Sequence, residues 1–564
     1  MYGYTGKSLR IDLTVGSWEI FDTPEPLCNS FLGGRGFGVE LIRDHITKSW
    51  DSEEMPLILA TGPLVGTIAP TSGRLSVISK SPLTATVFDC SVGGRFATEL
   101  KKAGLDMMVI RGISRKWVTV HIDNMDVHIR DAADMTGLDV GKVNKALGNG
   151  VSKAVIGRAG ERGVRFASIV FDGHYLAGRG GLGAVMGSKK LKAVTVRGDG
   201  TIRVYSQERL KKAREDVMRL LRASPSVFGE FGLSNFGTAA LVDLIHARRM
   251  EPTENFRRSV FPAASNYSGY RMKLRFRTEK TGCRGCPILC KKTGHNGEVI
   301  PEFETVSHFG ALNGNSDLSS IVEANRLCNE YGLDTITTAS TIACYSEIEG
   351  IRPSPENLLS HIRMIGEREG IGDALAEGSK RFAESRGLPG LSMSVKGLEL
   401  PAYDPRGAYG MALAYATSNR GGCHLRAYPI SYEILRKPVA VERFSFEGKA
   451  RMVKISEDSN AVVDSLTTCK FVFFAASLEE YANVVNAVTG MDHDVQSLLR
   501  IGERIWNLER SLNTLNGFSK KDDDLPERFF NEEGCPDENL KIPPINRRDF
   551  LDALQRYYKI RGWR

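Results

Sequence analysis

The 564-residue chain has no run of about twenty apolar residues, so the sequence offers no membrane-spanning helix. Its opening, Met1-Tyr-Gly-Tyr-Thr-Gly-Lys7, lacks the apolar core of a secretory signal. These absences predict a soluble, cytoplasmic protein with no membrane association. Cysteine is sparse, 10 residues in all, too few for a disulfide framework in a chain of this length. Cys28, Cys90 and Cys344 read as small buried apolar residues. No nucleic-acid motif, internal repeat or low-complexity tract occurs, and no nucleic-acid partner is expected. The net charge is only +8 with the signs mixed along the chain. Short basic runs such as Lys189-Lys190 and Arg547-Arg548 read as solvated faces, with docking of an acidic electron carrier as the alternative.

What is present is a chain long enough for two to four domains. Its texture changes near residue 200. The first part is glycine-rich, with short β-patterned runs: Leu57-Ile-Leu-Ala-Thr61, Arg74-Leu-Ser-Val-Ile-Ser79, Met108-Val-Ile-Arg111 and Trp117-Val-Thr-Val-His-Ile122. A helix is predicted at Phe96–Ala103. After Ser206 the pattern is helical. Ser319–Gly332 has apolar spacing near 3.6, a serine start and a glycine stop, and a further helix is predicted from Ile501 to Asn513. Lys520–Pro526 reads as a loop. The fold class is therefore α+β.

The most informative cysteines are Cys283-Arg-Gly-Cys286-Pro-Ile-Leu-Cys290 and the distant Cys469. Three thiolates at this spacing suit three corners of an iron–sulfur cube, closed by a fourth cysteine from elsewhere. A structural zinc site would use two close Cys/His pairs, and the second pair is missing. Radical-SAM enzymes use the reversed spacing. A redox enzyme is the leading reading.

Two glycine loops follow. Gly33-Gly-Arg-Gly-Phe-Gly38 opens a predicted helix. Gly178-Arg-Gly-Gly-Leu-Gly183 fits G-x-G-x-x-G after an apolar strand at Ala167–Phe171, which makes a dinucleotide site one candidate. The acidic residue expected about twenty positions on is absent. Such loops also present backbone N–H groups to phosphate, or serve simply as tight turns.

Taken in order, the motifs resemble those of the tungsten-containing aldehyde:ferredoxin oxidoreductases nearly end to end. The segments that carry the resemblance include Gly3–Thr14, Gly33-Gly-Arg-Gly36, Pro70-Thr-Ser-Gly-Arg74, Ser91-Val-Gly-Gly-Arg-Phe96 and Gly180–Lys189. After the cysteine loop come Pro301-Glu-Phe-Glu-Thr305, Tyr403-Asp-Pro-Arg-Gly407, Ser418-Asn-Arg-Gly-Gly-Cys-His424, Gly502-Glu-Arg-Ile505 and Asp522–Arg528. The resemblance implies a β-rich domain over residues 1–205 that cradles the cofactor. Two helical domains, 206–400 and 401–564, would follow. It implies tungsten (or molybdenum) held by two pyranopterins, one [4Fe–4S] cluster on Cys283, Cys286, Cys290 and Cys469, and Mg2+ bridging the pterin phosphates near Ser91 and Arg179-Gly180. Arg74 corresponds to the residue at the cluster–pterin junction, where a guanidinium holds a phosphate or pterin edge in fixed geometry.

In the family two Asp-x-x-Gly-Leu-Asp/Cys motifs bind the pterins. Here they read Asn329-Glu-Tyr-Gly-Leu333-Asp334 and Asp464-Ser-Leu-Thr-Thr468-Cys469. Asn329 replaces a carboxylate, and Thr467-Thr468 replaces Gly-Leu. The resemblance further implies Glu304 and His424 as catalytic residues beside the metal, with Tyr403 near the substrate and Glu302 as the rival to Glu304. A carboxylate there takes a proton from water, and an imidazole donates to a carbonyl oxygen. The implied activity is oxidation of an aldehyde to a carboxylic acid, with ferredoxin as acceptor and a homodimer as assembly. Alternatives are the catalytic subunit of an aromatic-ring (acyl-CoA) reductase complex and a non-catalytic iron–sulfur relay.

Overall fold

In a computed structural model, residues 1–537 and 540–563 are described. The β-patterned runs of the first part pair into two six-stranded mixed sheets. The first contains β1 (Lys7–Asp12), β2 (Ser17–Asp22), β3 (Leu57–Ala60), β4 (Leu75–Lys80), β5 (Val87–Val92) and β6 (Met107–Arg111), in the order β2-β1-β6-β3-β4-β5. Only β1 and β6 run parallel; the other neighbours are antiparallel. β3 and β4 are buried along their whole length, which is why they read as near-continuous apolar runs rather than alternating ones. The two serines of β4 are satisfied: Ser79 donates to the Pro56 carbonyl at 2.8 Å and Ser76 to that of Asp464 at 3.2 Å.

The second sheet contains β7 (Val118–Asp123), β8 (Asp126–Asp131), β9 (Ser152–Ile156), β10 (Ile169–Phe171), β11 (Tyr175–Ala177) and β12 (Leu191–Arg197), ordered β11-β10-β9-β12-β7-β8. The loop Gly178–Gly183 follows β11, which is antiparallel to β10, so no parallel strand–helix–strand crossover frames it. The dinucleotide reading therefore lacks its fold. The glycines serve close packing: Gly180 has φ +77°, and a Cβ there would lie 2.6 Å from the Phe88 ring.

From residue 207 onward the chain is mainly helical, with a two-stranded hairpin, β13 (Glu279–Thr281) and β14 (Lys291–Thr293), inserted. The predicted helix at 319–332 runs Leu318–Tyr331; Asp317, not a serine, caps it by accepting from two backbone N–H groups, and Gly332 ends it at φ +71°. The helix predicted from Ile501 begins earlier, at Val495, because Asp494 and Ser497 form a capping box. That helix packs on Lys449–Ser465. Gly502 permits the crossing, since a Cβ there would sit 2.0 Å from the Asp458 carbonyl oxygen. No described helix is long and apolar enough to cross a membrane.

Candidate functional site

The four predicted cluster cysteines converge. The β13–β14 hairpin pins both ends of the loop that carries Cys283, Cys286 and Cys290, with Thr281 opposite Lys291. Cys469 arrives from the other direction, just beyond the helix Lys449–Ser465. Its backbone N–H donates to the Thr71 carbonyl at 3.0 Å, and the Arg74 N–H donates to that of Thr467 at 3.3 Å. All four cysteines and Arg74 line one small pocket. Arg74 donates to the Ser91 hydroxyl (2.7 Å) and carbonyl (2.6 Å) and points a third nitrogen at the Cys469 sulfur, 4.0 Å away. Burial and the neighbouring Cys469 push the Cys286 thiol up to about 12, so a thiolate set here requires a cationic occupant. No three of the described His, Cys, Asp or Glu side chains lie close enough to share a single metal ion. Four thiols around one pocket make it the candidate site for a thiolate-held centre.

Beside this pocket opens a cavity of about 930 Å³, which Arg74, Cys283, Cys290 and Cys469 also line. Ser91, Arg179, Asn329, Asp334, Asp464 and Thr468 all reach its wall, whereas Gly180 and Leu333 do not. Leu333 is fully buried and bridges Ala167, and so holds the motif to the β-rich part. Asp334 caps the helix Thr335–Ile348, and its Oδ2 lies 3.5 Å from Arg179 Nε. Arg179 is clamped by the carbonyls of Gly422 (3.0 Å) and Glu399 (2.6 Å). Asp464 accepts from Arg426 at 3.0 Å and from Lys470, with Arg35 at 3.4 Å. Sequence reasoning did not single out Asp89, Arg420, Arg426 or Lys470, which also face the cavity. A signal for two of them was present: Arg420 and Arg426 bracket His424 in the Ser418–His424 motif and just beyond it.

Thr467, where the family motif has glycine, has a left-handed φ of +53°, a conformation that disfavours a β-branched residue. Its hydroxyl accepts from the Gly62 N–H at 3.0 Å, and the adjacent Thr468 hydroxyl faces the cavity with no protein partner.

At one part of the wall, Glu304 and His424 face each other. Glu304 sits in the first turn of the helix Phe303–Phe309, after the cap residue Glu302, so its carboxyl lies at the positive end of that helix. Its Oε2 accepts from the Ala402 N–H at 2.8 Å, and its Oε1 is 3.5 Å from His424 Nε2. Burial, with only that one backbone donor, pushes Glu304 up to about 8. Burial, together with Arg179 and Arg420, holds His424 well below the usual histidine range, so its ring is neutral. The Tyr403 ring centroid is 5.6 Å from that of His424, and its hydroxyl pairs with the Tyr428 hydroxyl at 3.1 Å. Glu302, the rival, also lines the cavity and is paired there with Lys291 at 3.2 Å, whereas Glu304 is the carboxyl that faces His424.

Several buried side-chain atoms of cavity-lining residues make no hydrogen bond to protein: Asp89 Oδ2, Nε of Arg179, Arg420 and Arg426, Glu304 Oε1 and His424 Nδ1. Buried polar groups are almost always satisfied. A polar, anionic occupant with hydrogen-bonding edges would satisfy them, so the residues present fit a phosphate-bearing pterin.

A cysteine-lined pocket joined to a large cavity that carries a buried acid–imidazole pair and several arginines is the site of an oxidoreductase. The aldehyde ferredoxin oxidoreductase N-terminal domain matches residues 8–198, and domains 2 and 3 of the same family match residues 212–564. The chain belongs to the aldehyde ferredoxin oxidoreductase family. It is 41% identical over 591 residues to the tungsten-containing aldehyde ferredoxin oxidoreductase of Pyrococcus furiosus, across 100% of this chain and 97% of that protein. It is 29% identical to the aliphatic sulfonate oxidoreductase, WOR-like subunit, of the same organism, across 100% and 95%. Among solved structures it is similar to the active site complex BamBC of benzoyl coenzyme A reductase, at 25% identity and a TM-score of 0.85, covering 100% of this chain and 95% of that one.

Proposed function

We propose that the chain oxidises an aldehyde to the carboxylic acid, RCHO + H2O → RCOOH + 2H+ + 2e−, and releases the electrons singly to ferredoxin or a similar carrier. The observation that carries this reading is the Glu304–His424 pair, 3.5 Å apart, on a cavity that adjoins the four-cysteine pocket. In this reading the cavity would hold a tungsten or molybdenum bis-pyranopterin, which would supply the two-electron redox chemistry, and Cys283, Cys286, Cys290 and Cys469 would hold a [4Fe–4S] cluster as the one-electron relay.

The protein residues have separate tasks. Arg74, Arg179, Arg420 and Arg426 would hold the anionic cofactor, and Asp334 and Asn329 would meet its hydrogen-bonding edges, with Mg2+ as a counter-ion to its phosphates. Glu304, once ionised, takes the proton of the attacking water. A neutral His424 donates a ring N–H to the carbonyl oxygen as charge develops there. Tyr403, tied to Tyr428, shapes the wall against which the substrate lies.

The test is elemental analysis of protein purified without oxygen, followed by an aldehyde screen with a dye acceptor. About four Fe and one W or Mo per chain with aldehyde turnover supports the reading. Iron alone would favour the relay. Ring reduction, suggested by the benzoyl coenzyme A reductase likeness, ranks second, because that likeness is at 25% identity against 41% for the aldehyde enzyme.

A further inference from the structure

The basic runs at Lys189-Lys190 and Arg547-Arg548 are poor docking surfaces: Lys189 is fully buried, and Arg547 is bound to Asp524. A different surface has the needed properties. The segment leading into the cluster loop, the helix Gly269–Phe276 and strand β13, buries Gly269 and Met272 and turns Arg271, Lys273, Arg275, Arg277 and Lys280 to solvent. None of these five cations is paired with a carboxylate among the described residues. Arg275 and Lys280 donate to the hydroxyls of Ser319 and Ser234, and Arg275 also lies over the Phe276 ring. Glu279 is the one acidic residue in the segment.

Apolar side chains lie on the same module. Leu274 is 57% exposed and Tyr270, four residues before it on the helix, 56%. Phe231, 75% exposed, stacks on Phe236, whose ring lies 4.9 Å from the Lys273 ammonium. The patch is joined to the cluster loop directly. β13 ends two residues before Cys283, Gly237 packs so closely that a Cβ would be 2.7 Å from the Cys290 carbonyl oxygen, and Arg284 and Gly285 at the loop tip are exposed.

We propose that this face, Arg271–Lys280 with Phe231, Tyr270 and Leu274, docks an acidic electron-carrier protein over the four-cysteine pocket. It rests on the reading that electrons leave through a cluster there. In each encounter one electron passes from the reduced cluster to the oxidised carrier, and two encounters complete one aldehyde oxidation. Unpaired cations steer an acidic partner at long range, and an apolar centre supplies contact once it arrives.

The test uses the holoenzyme with Lys273→Glu, Arg277→Glu and Lys280→Glu combined. The control carries the same charge change on the distal helix Arg547–Arg561: Arg548→Glu, Arg556→Glu and Lys559→Glu. The probe is a purified acidic ferredoxin, titrated at low and high salt. The expected result is Kd weakened at least about tenfold at low salt for the first variant, a gap that closes at high salt, and no such change in the control. Equal effects in both variants, or none, would overturn the proposal. So would a changed oligomeric state in the first variant, which would assign the face to a second copy of the chain. Aldehyde turnover with a small dye acceptor reads the functional assignment separately: it should be the same in all three proteins. Its absence in the unaltered enzyme would sink that assignment while the titration still decides the docking face.

Discussion

Glu304 allows a quantitative prediction, because its task in the proposed reaction and its electrostatics pull in opposite directions. To take a proton from water it must be ionised, yet burial raises its pKa from 4.5 to about 8. At pH 6, two units lower, only about 1% of the carboxyl is ionised. Aldehyde turnover, kcat/KM, is therefore expected to rise about tenfold per pH unit from pH 6 and level off above pH 8. The folded chain also holds a proton on Glu304 that the unfolded chain has already released, so this residue's contribution to stability falls as pH rises from 4.5 to about 8. At about 1.4 kcal/mol per unit, the whole window is worth at most about 5 kcal/mol. Glu304→Gln keeps the acceptor for the Ala402 N–H and cannot ionise. Both metals should remain bound, the rise with pH should vanish, and turnover should fall by about 10²- to 10⁴-fold. Stability should lose less between pH 6 and 8 than that of the parent. A stopped-flow dye assay across pH, beside metal analysis, checks each point. Full activity in the variant, or a parent profile flat from pH 6 to 8, would refute the assignment.

Two cluster variants should behave alike for different reasons. Cys469→Ser removes a thiolate, and Gly93→Ala places a Cβ 2.4 Å from the Cys283 sulfur and displaces it. Both should lose most cluster iron and its visible absorbance while far-ultraviolet circular dichroism is retained; normal iron in either would remove that cysteine as a ligand. At Thr467 a valine keeps the left-handed strain and leaves the buried Gly62 N–H without its acceptor, at a cost of about 1–3 kcal/mol. Glycine relieves the strain and loses the same bond, so it should be the more stable of the two by chemical denaturation. The reverse order would mean that strain at Thr467 is negligible.

The sequence made some of this legible and hid the rest for physical reasons. β3 and β4 were readable because burial on both faces leaves an apolar run, and the cysteine loop because its ligand spacing is local. Cys469 was legible as the distant thiol a four-cornered cluster needs, and the family motif supported it, but nothing local ties it to residues 283–290; the structure supplies the tie through the backbone bonds of Cys469 to Thr71 and of Arg74 to Thr467. The charge web was invisible because it is assembled from remote pieces: Arg35 of an early helix, Asp89 of β5 and Arg426 beyond His424 meet only after folding. The same remoteness explains Thr467. Read alone, a threonine where relatives carry glycine suggests a changed backbone, because it lacks the freedom of glycine at positive φ. In the fold its hydroxyl gains a partner, Gly62, from a segment some four hundred residues away, which offsets the strain. A departure from a motif at one position is thus weak ground for discarding the motif's role when the replacing side chain finds a bond that holds a turn at positive φ.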